Sequence, residues 1–310
     1  MSRQSWMPHG GPGLALRPDQ LRAMGVTRSR LAASGIERAF RGSVLLPSTA
    51  YDPDSMVDRC LAFGPLMRPG WFFTRRSAAA LWGIPVPDAP NGAIEVGAVR
   101  PRHAPRRRNV RGHEISSGIL RTGQRYGLPV PMPADVWCVL APVISLGELV
   151  AVGDFLLSGR VGRPRVPLAT IADLRESEQR FRGTPGAPER REAIELLRSP
   201  VDSRPESLMR FAMHRAGLPA PVLSCPVMVA GRNGPIELHS DIGFPQWKIA
   251  GEYEGGVHFT DLGRARRDVE RWELMTDAGW RVVRATARDL PDFGEFTTRL
   301  RRIIAERGGS

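Results

Sequence analysis

Three acidic residues that could do chemistry lie close together in the stretch DIGFPQWKIAGEYEG: Asp241, Glu252 and Glu254. Residues two apart on a strand share one face, so Glu252 and Glu254 are expected to point the same way. If the GFPQ turn pairs two strands, Asp241 reaches that face, and Glu206 approaches from the start of the preceding helix. Clustered carboxylates repel each other unless a cation lies among them, and such oxygen ligands suit Mg²⁺ or Mn²⁺.

A cation held by these acids would point to phosphodiester chemistry. It could stabilise charge on a phosphate and make a nucleophile of a bound water at neutral pH. The alternative is structural: Glu252 and Glu254 form a solvated face, and Asp241 caps a turn. The spacing alone does not decide between the two, because D…ExE is a short and common pattern.

The charge of the chain favours a polyanionic partner. Its 310 residues include 44 Lys and Arg against 32 Asp and Glu, for a formal net charge of +12, carried mostly by arginine. Such a field favours nucleic acid or an anionic membrane surface. A high-GC genome would also enrich arginine, together with Ala, Gly and Pro.

The sequence predicts a cytoplasmic protein without a membrane span. No apolar run approaches 18 residues, and the N-terminus lacks the apolar core of a signal peptide. Cys60, Cys138 and Cys225 are scattered and form no CxxC pair. This pattern argues against a disulfide framework or a zinc ribbon and favours a reducing compartment.

The elements that must position the acids can be predicted from residue 204 onward. The segment PESLMRFAMHRAGLP predicts a helix with Pro205 in its first turn. Two strands around a GRNG turn follow, and WKIAGEYEG gives a third. A helix that ends at Gly279, a strand WRVVRAT and a final basic helix near 292–306 complete the order.

The N-terminal half begins with the order of a winged helix-turn-helix. A helix that ends at Gly25, a short helix after Thr27 and a GSVLLP strand follow one another. The second helix would present Arg28 and Arg30 to DNA, with a wing around Arg38–Arg41. The alternative is a small scaffold domain with exposed arginines.

The arginine run in residues 100–111 and Lys248 could each contact phosphates or be ordinary surface residues. The run of arginines in residues 100–111 could follow a phosphate backbone or form a solvated hairpin, and it lacks the interleaved aromatic residues of a single-strand stacking surface. Lys248, on the strand that leads to Glu252, is a candidate phosphate contact or an ordinary surface lysine.

The C-terminal segment resembles a known nuclease family. Residues 204–290 contain PESLMRFAMHRAGLP, IELHSDIGFPQWKIAGEYEGGVHF and RARRDVERWELMTDAGWRVVRAT. In this order they resemble the very-short-patch-repair-like endonuclease domains of the PD-(D/E)XK superfamily. The resemblance implies a restriction-endonuclease-like α/β (α+β) fold with a mixed sheet.

The same resemblance implies roles for individual residues. Asp241 and Glu252 would be the metal ligands, Glu254 would take the last motif position, and Glu206 would support them from the first helix. His258 would be a supporting group or a general acid/base near the scissile phosphate. Glu254 stands where the family usually has Asp and the wider superfamily has Lys, which favours the alternative of a degenerate site.

The first 160 residues resemble a second family. LRAMGVTRSRL, RGSVLLP, TRRSAAALWGIP and YGLPVPMPADVWCVL are similar to the AbiEi-type antitoxin region of actinobacteria. PMPADVW departs from the usual T-x-x-R-T start of the later helix. The resemblance implies a winged helix followed by a small α/β module, with DNA or protein recognition as the role.

The sequence therefore predicts five segments and one function with an alternative. The segments are a disordered tail (1–13), a winged-helix-like domain (14–50, including Arg41), an AbiEi-like module (51–160), a helical connector (161–203) and a nuclease-like domain (204–310). The function is Mg²⁺- or Mn²⁺-dependent DNA endonuclease; the alternative is a catalytically degenerate DNA-binding regulator or antitoxin-like protein. The expected partners are DNA, a second copy of the chain in a homodimer, and a toxin or defence-system protein.

Overall fold

The computed structural model describes residues 15–32, 36–46, 51–88, 92–159, 165–231, 234–254 and 262–309, without the side chains of 262–268. Helices and several small sheets form a mixed α/β arrangement. The chain divides into two compact units. The first consists of Met1–Ile144 and Ala172–Ala187, and the second of Ser145–Ile171 and Pro188–Ser310.

The first unit begins with two short helices and a two-stranded sheet. Strand β1 (Ala15–Leu16) pairs antiparallel with β2 (Val44–Leu45), and between them lie helices α1 (Pro18–Ala23) and α2 (Arg28–Ala32). Apolar side chains from all four elements form one cluster: Leu16, Leu21, Val26, Leu31, Val44 and Leu46. The predicted order of two helices and a strand is confirmed here.

The rest of the first unit is a small α/β assembly. Strands β3 (Trp71–Phe73), β4 (Ile94–Val99) and β5 (Val110–Ile115) form a sheet in which β3 and β4 are antiparallel and β4 and β5 parallel. Strands β6 (Thr122–Arg125) and β7 (Leu128–Pro131) form a hairpin. The helices are α3 (Met56–Phe63), α4 (Arg75–Trp82), α5 (Pro133–Leu140) and α7 (Ile171–Phe181).

The second unit is built around a mixed four-stranded sheet. Its strands are β8 (Val222–Gly231), β9 (Gly234–Phe244), β10 (Ile249–Glu254) and β11 (Arg281–Thr286), in the order β11-β10-β9-β8. Strand β10 is antiparallel to β9 and parallel to β11. The helices are α6 (Leu146–Ser158), α8 (Ala187–Leu196), α9 (Arg204–Arg215), α10 (Leu262–Asp277) and α11 (Gly294–Glu306).

Strand β10 in the sheet of the second unit is buried on both faces. Ile249 and its neighbour Ala250 enter two different apolar clusters, as adjacent residues of a strand must when each face is covered. One cluster contains Met209 of α9 and Phe296 of α11, and the other contains Met275 of α10. The helix–strand order predicted from residue 204 to the C-terminus is confirmed.

Helix α9 begins where its sequence requires. The Ser203 hydroxyl accepts a hydrogen bond from the backbone N–H of Glu206, and Pro205 lies in the first turn, where its missing N–H costs nothing. Ser207, Leu208 and Met209 are buried immediately after. The cap and the buried stripe hold Glu206 at the first turn of the helix.

The two compact units differ from the predicted segments because buried carboxylates tie helices across those boundaries. Asp135 of α5 is fully buried, and its oxygens accept hydrogen bonds from Arg180 (2.5 Å) and Ser177 (2.8 Å) of α7. Helix α7 therefore packs in the first unit. The connector predicted for 161–203 is helical, but its first helix and its second belong to different units.

In the second unit, the buried carboxylate of Asp154 joins helices in the same way as Asp135 does in the first. This fully buried residue of α6 accepts hydrogen bonds from Arg210 Nη2 (2.7 Å) and Ser207 Oγ (2.8 Å) of α9, and from the Arg198 N–H (2.7 Å). Helix α6, which the sequence places in the N-terminal module, therefore packs with α9 in the second unit.

No helix in the described ranges is both long enough and apolar enough to cross a membrane.

Substitution of Asp154 by Ala is expected to lower the free energy of unfolding by about 3 to 5 kcal/mol, because Arg210, 8% exposed, loses its buried counter-charge. Urea denaturation measures the change. The matched control is Glu306→Ala, which breaks the exposed pair with Arg302 and should cost at most about 1 kcal/mol. Equal losses in the two variants would contradict the role given to Asp154.

Candidate functional site

The hairpin of β9 and β10 positions two of the predicted acids, Asp241 and Glu252. Strands β9 and β10 are joined by a 3-10 turn at Pro245–Trp247, and their register places Gly251 opposite Ile242. This last pair of the register lies one residue before Glu252 and one residue after Asp241, and the Tyr253 N–H donates to the Asp241 carboxylate. The GFPQ segment therefore reverses the chain as the sequence predicts, and β10 brings Glu252 and Tyr253 beside the part of β9 that carries Asp241.

Asp241 and Glu206 line one cavity in the second unit. The cavity has a volume of about 220 Å³ and is lined by Pro200, Val201, Asp202, Glu206, Leu223, Ser224, His239, Ser240, Asp241 and Arg271. Helix α9 contributes Glu206 and strand β9 contributes Asp241. The acid predicted to approach from the preceding helix is thus brought together with Asp241, which lies within β9 and does not end it as predicted.

Hydrogen bonds hold both carboxylates in place. Asp241 Oδ2 accepts from the backbone N–H of Tyr253 at 2.7 Å, while Oδ1 accepts no hydrogen bond from the described residues. Glu206 Oε1 accepts from Ser203 Oγ at 2.7 Å, and Oε2 accepts from the Asp202 N–H at 3.1 Å. Main-chain donors and a helix cap therefore orient the two groups.

The environment of these acids disfavours their charged forms. Burial, followed by repulsion from Asp241, raises the pKa of Glu206 to about 7, against the lowering effect of the Ser203 and Asp202 hydrogen bonds. Burial also raises the pKa of Asp241, against the Tyr253 N–H and the positive charge of Arg271. Two carboxylates that face one cavity under these conditions would gain from a cation between them.

Glu252 already has a cationic partner. It is 5% exposed, and its Oε1 accepts a hydrogen bond from Arg271 Nη2 of helix α10 at 2.8 Å. The same Arg271 nitrogen also donates to the backbone carbonyl of His239. The guanidinium therefore lies between β9 and β10 and neutralises the acid that the sequence predicts as a metal ligand.

Glu254 lies in a different environment. Its Oε2 is 3.5 Å from Arg284 Nη1 of β11, and Arg284 stacks over the Trp272 ring at 4.6 Å. It lines a cavity of about 310 Å³ whose other charged residues are Arg281, Arg284, Arg299 and Arg302. The last motif position thus faces arginines and is not among the residues that line the cavity of Asp241.

The remaining predicted residues lie elsewhere. Lys248 precedes β10, at the opposite end of that strand from Glu254, and its Nζ donates to the Ala278 carbonyl at 3.4 Å. His258 lies outside the described residues. Arg28 and Arg30 are exposed on α2, and Arg41 is exposed in a turn of the same unit.

The sequence prediction does not single out three residues of the cavity: Asp202, His239 and Arg271. His239 is exposed, and its Nδ1 is 3.0 Å from the Ser224 carbonyl oxygen. Its position two residues before Asp241 is a usable signal, because alternate residues of a strand share a face. Arg271 belongs to a helix with several arginines, and nothing in the one-dimensional pattern distinguishes it from them.

Among the residues that the structure describes, no group of three or more His, Cys, Asp or Glu side chains is arranged to hold a metal ion. Two carboxylates remain a sufficient protein contribution for Mg²⁺, which usually keeps several waters and takes other ligands from substrate phosphates. Glu206 and Asp241 fit that requirement by donor type and by their shared cavity. Glu252, held by Arg271, fits it less well.

Comparison with known proteins finds only partial similarity. No protein-family model matches the chain. The chain is 29% identical over 109 residues to "Uncharacterized protein MT2308" of Mycobacterium tuberculosis (strain CDC 1551 / Oshkosh), and likewise to "Uncharacterized protein Rv2248" of strain H37Rv. The match covers 35% of this chain and 39% of each relative, so it spans less than half of the relatives' length.

Substitution of Glu206 by Gln is expected to remove a pH dependence of stability. The pKa of Glu206 in the folded protein, about 7, lies above its ordinary value of 4.5, so its stabilising contribution is complete below pH 4.5 and is lost as pH rises through 7. Wild type should lose about 1 to 3 kcal/mol over this interval that the Gln variant retains.

Urea denaturation at several pH values in metal-free buffer measures this difference. Glu195→Gln, an exposed position on α8, is the matched control and should keep the pH profile of the wild type. A Glu206→Gln variant with the same profile as wild type would contradict the assignment.

Proposed function

We propose that the chain is a DNA-binding protein whose second unit hydrolyses phosphodiester bonds with the help of a divalent cation. The observation that carries the proposal is the cavity that Glu206 and Asp241 share with Arg271, the partner of Glu252, on the mixed four-stranded sheet. The net charge of +12 supports a polyanionic substrate. The resemblance to very-short-patch-repair-like endonucleases supports DNA in particular.

In this proposal Glu206 and Asp241 hold Mg²⁺ or Mn²⁺. The bound ion would supply charge stabilisation at a phosphate and a more acidic water. The protein's own groups do the positioning: the Tyr253 N–H fixes Asp241, while Ser203 and the Asp202 N–H fix Glu206. A raised pKa at Glu206 means that the site binds a cation better above about pH 7, where the Glu206 carboxylate is charged.

Arg271 and His239 line the same cavity and would act on the substrate side. Arg271 places a fixed positive charge where a phosphate enters, because its guanidinium is held by Glu252 and the His239 carbonyl. The exposed imidazole of His239 lies at the rim, next to Glu237, whose Oε1 is 2.9 Å from Nε2. Both groups would favour binding of an anion over a neutral ligand.

A second candidate function is that of a DNA-binding regulator or antitoxin-like protein without hydrolytic activity. The specific observation in its favour is the Glu252–Arg271 pair, since an internal guanidinium replaces the external cation at that carboxylate. The arginines around Glu254 support it too, because that position holds neither the Lys of the superfamily nor the Asp of the family.

The two candidates are separated by cleavage assays on supercoiled and linear duplex DNA with Mg²⁺ or Mn²⁺. Hydrolysis should fall in Glu206→Gln and Asp241→Asn by more than the roughly 10- to 100-fold typical of losing a group that only orients a metal ligand. Glu195→Gln is the control and should keep full activity. The absence of cleavage on every substrate, with DNA binding retained, would rule out the nuclease.

A metal titration followed by thermal unfolding provides a readout that does not depend on activity. A cation that binds the folded state alone raises the unfolding temperature with increasing concentration. The nuclease proposal expects this rise in the wild type and its loss in Asp241→Asn. If the protein is a regulator without a metal site, the unfolding temperature should not rise with metal concentration in either protein.

A further inference from the structure

The first unit contains a cleft between two β-turns that carry arginines. In the first turn the Ser43 N–H donates to the Phe40 carbonyl at 3.0 Å, and Gly42 adopts a φ of 92° that favours glycine. In the second the Val110 N–H donates to the Arg107 carbonyl at 3.2 Å. Arg41 and Arg108 each occupy the second position of their turn, where side chains project outward.

The cleft between these turns is strongly cationic. It has a volume of about 810 Å³ and is lined by Arg38, Ala39, Phe40, Arg41, Gly42, Arg106, Arg107, Arg108 and Asn109. Five of these nine residues are arginines and none is acidic. Arg41, Arg106 and Arg108 are exposed and have no ion pair within the described ranges. Five guanidinium groups in one cleft repel each other unless an anion binds there.

The cleft is held in shape by bonds that leave the outer arginines free. Arg107 Nη1 donates to the Arg41 carbonyl at 3.2 Å and so links one turn to the other. Arg38 donates to the Leu31 carbonyl at the end of α2. Phe40 is 7% exposed and packs edge-on against Phe63, with ring centroids 5.1 Å apart. These contacts therefore hold the backbone of both turns in place, and the arginines that face the cleft project from a fixed backbone.

We propose that this cleft binds the phosphate backbone of duplex DNA. Guanidinium forks match phosphate oxygens and form charge-assisted, often bidentate hydrogen bonds. The one aromatic residue in the lining, Phe40, is buried, so the cleft has no surface on which unpaired bases could stack. These features favour a double-stranded backbone over a single strand.

This inference rests on DNA being the substrate of the proposed function, but it does not depend on cleavage. It unites two regions of the sequence, the turn near Arg41 and the arginine run 100–111, in one surface. It also places the main electrostatic contact beside the predicted recognition helix rather than on Arg28 and Arg30. The contact fixes position on the duplex without reading base sequence.

The test is fluorescence anisotropy with a labelled duplex in EDTA, so that hydrolysis cannot contribute. The triple variant Arg41→Ala, Arg106→Ala, Arg108→Ala keeps Arg107, which stabilises the cleft. Its affinity should fall on the order of 100-fold at low salt, and the slope of log affinity against log salt should become shallower by about 2 to 3.

The matched control removes the same charge from exposed positions of the same unit: Arg22→Ala, Arg175→Ala, Arg182→Ala. Its affinity should change less than about 3-fold. An equal loss in the two triple variants would assign the effect to net charge and overturn the proposal. Wild-type affinity in the cleft variant would overturn it as well.

Two further probes decide which anion the cleft takes. A single strand of equal length and poly-glutamate are added as competitors, and each should displace the duplex less effectively than unlabelled duplex does. Preferential displacement by poly-glutamate would assign the cleft to an acidic protein partner instead. If duplex binding follows the cleft but no variant or metal gives cleavage, the nuclease proposal fails while this inference stands.

Discussion

The buried carboxylate of Asp154 is the constraint on which the second unit depends. A fully buried charge is tolerated only when it is paired and hydrogen-bonded, and Asp154 takes donors from Ser207, Arg210 and the Arg198 N–H. These donors lie on both sides of Glu206 in the chain. Ser207, the residue after Glu206 in α9, donates a hydrogen bond to Asp154 of α6, a helix that lies outside the predicted nuclease-like segment. This contact helps to fix the position of Glu206 in the cavity.

The acids Glu206, Asp241 and Glu252 show two ways to accommodate negative charge. Glu252 is paired with a guanidinium that α10 supplies. Glu206 and Asp241 have weaker compensation, and burial raises the pKa of each. The difference arises from geometry, because Arg271 donates to β10 and to the His239 carbonyl of β9 rather than to α9. A cluster that looks uniform in sequence is thus divided into one neutralised acid and two that still favour a cation.

Much of the fold could be predicted, because local rules determine it. Ser203 and Pro205 mark the start of α9, and Gly83 and Gly279 follow the helices they end. The approach of Glu206 to Asp241 was also predictable from element order. The Glu252–Arg271 pair was not, because 19 residues separate the partners and many arginines compete for the role. The helices that pack together in each compact unit could not be predicted for the same reason, since Asp135 and Asp154 select their helices by packing and not by sequence distance.

The two outer strands of the second unit's sheet bear on how this chain could associate with a copy of itself. An open sheet edge invites pairing with a strand from another molecule unless something blocks it. Strand β8 carries Pro226, which has no N–H to offer, and the Arg284 carbonyl of β11 already accepts a hydrogen bond from Arg299 at 3.0 Å. The charged side chains of Arg281 and Arg284 on β11 would also repel the same strand of a second molecule. At these positions both outer strands are therefore less able to extend the sheet into a second copy of the chain.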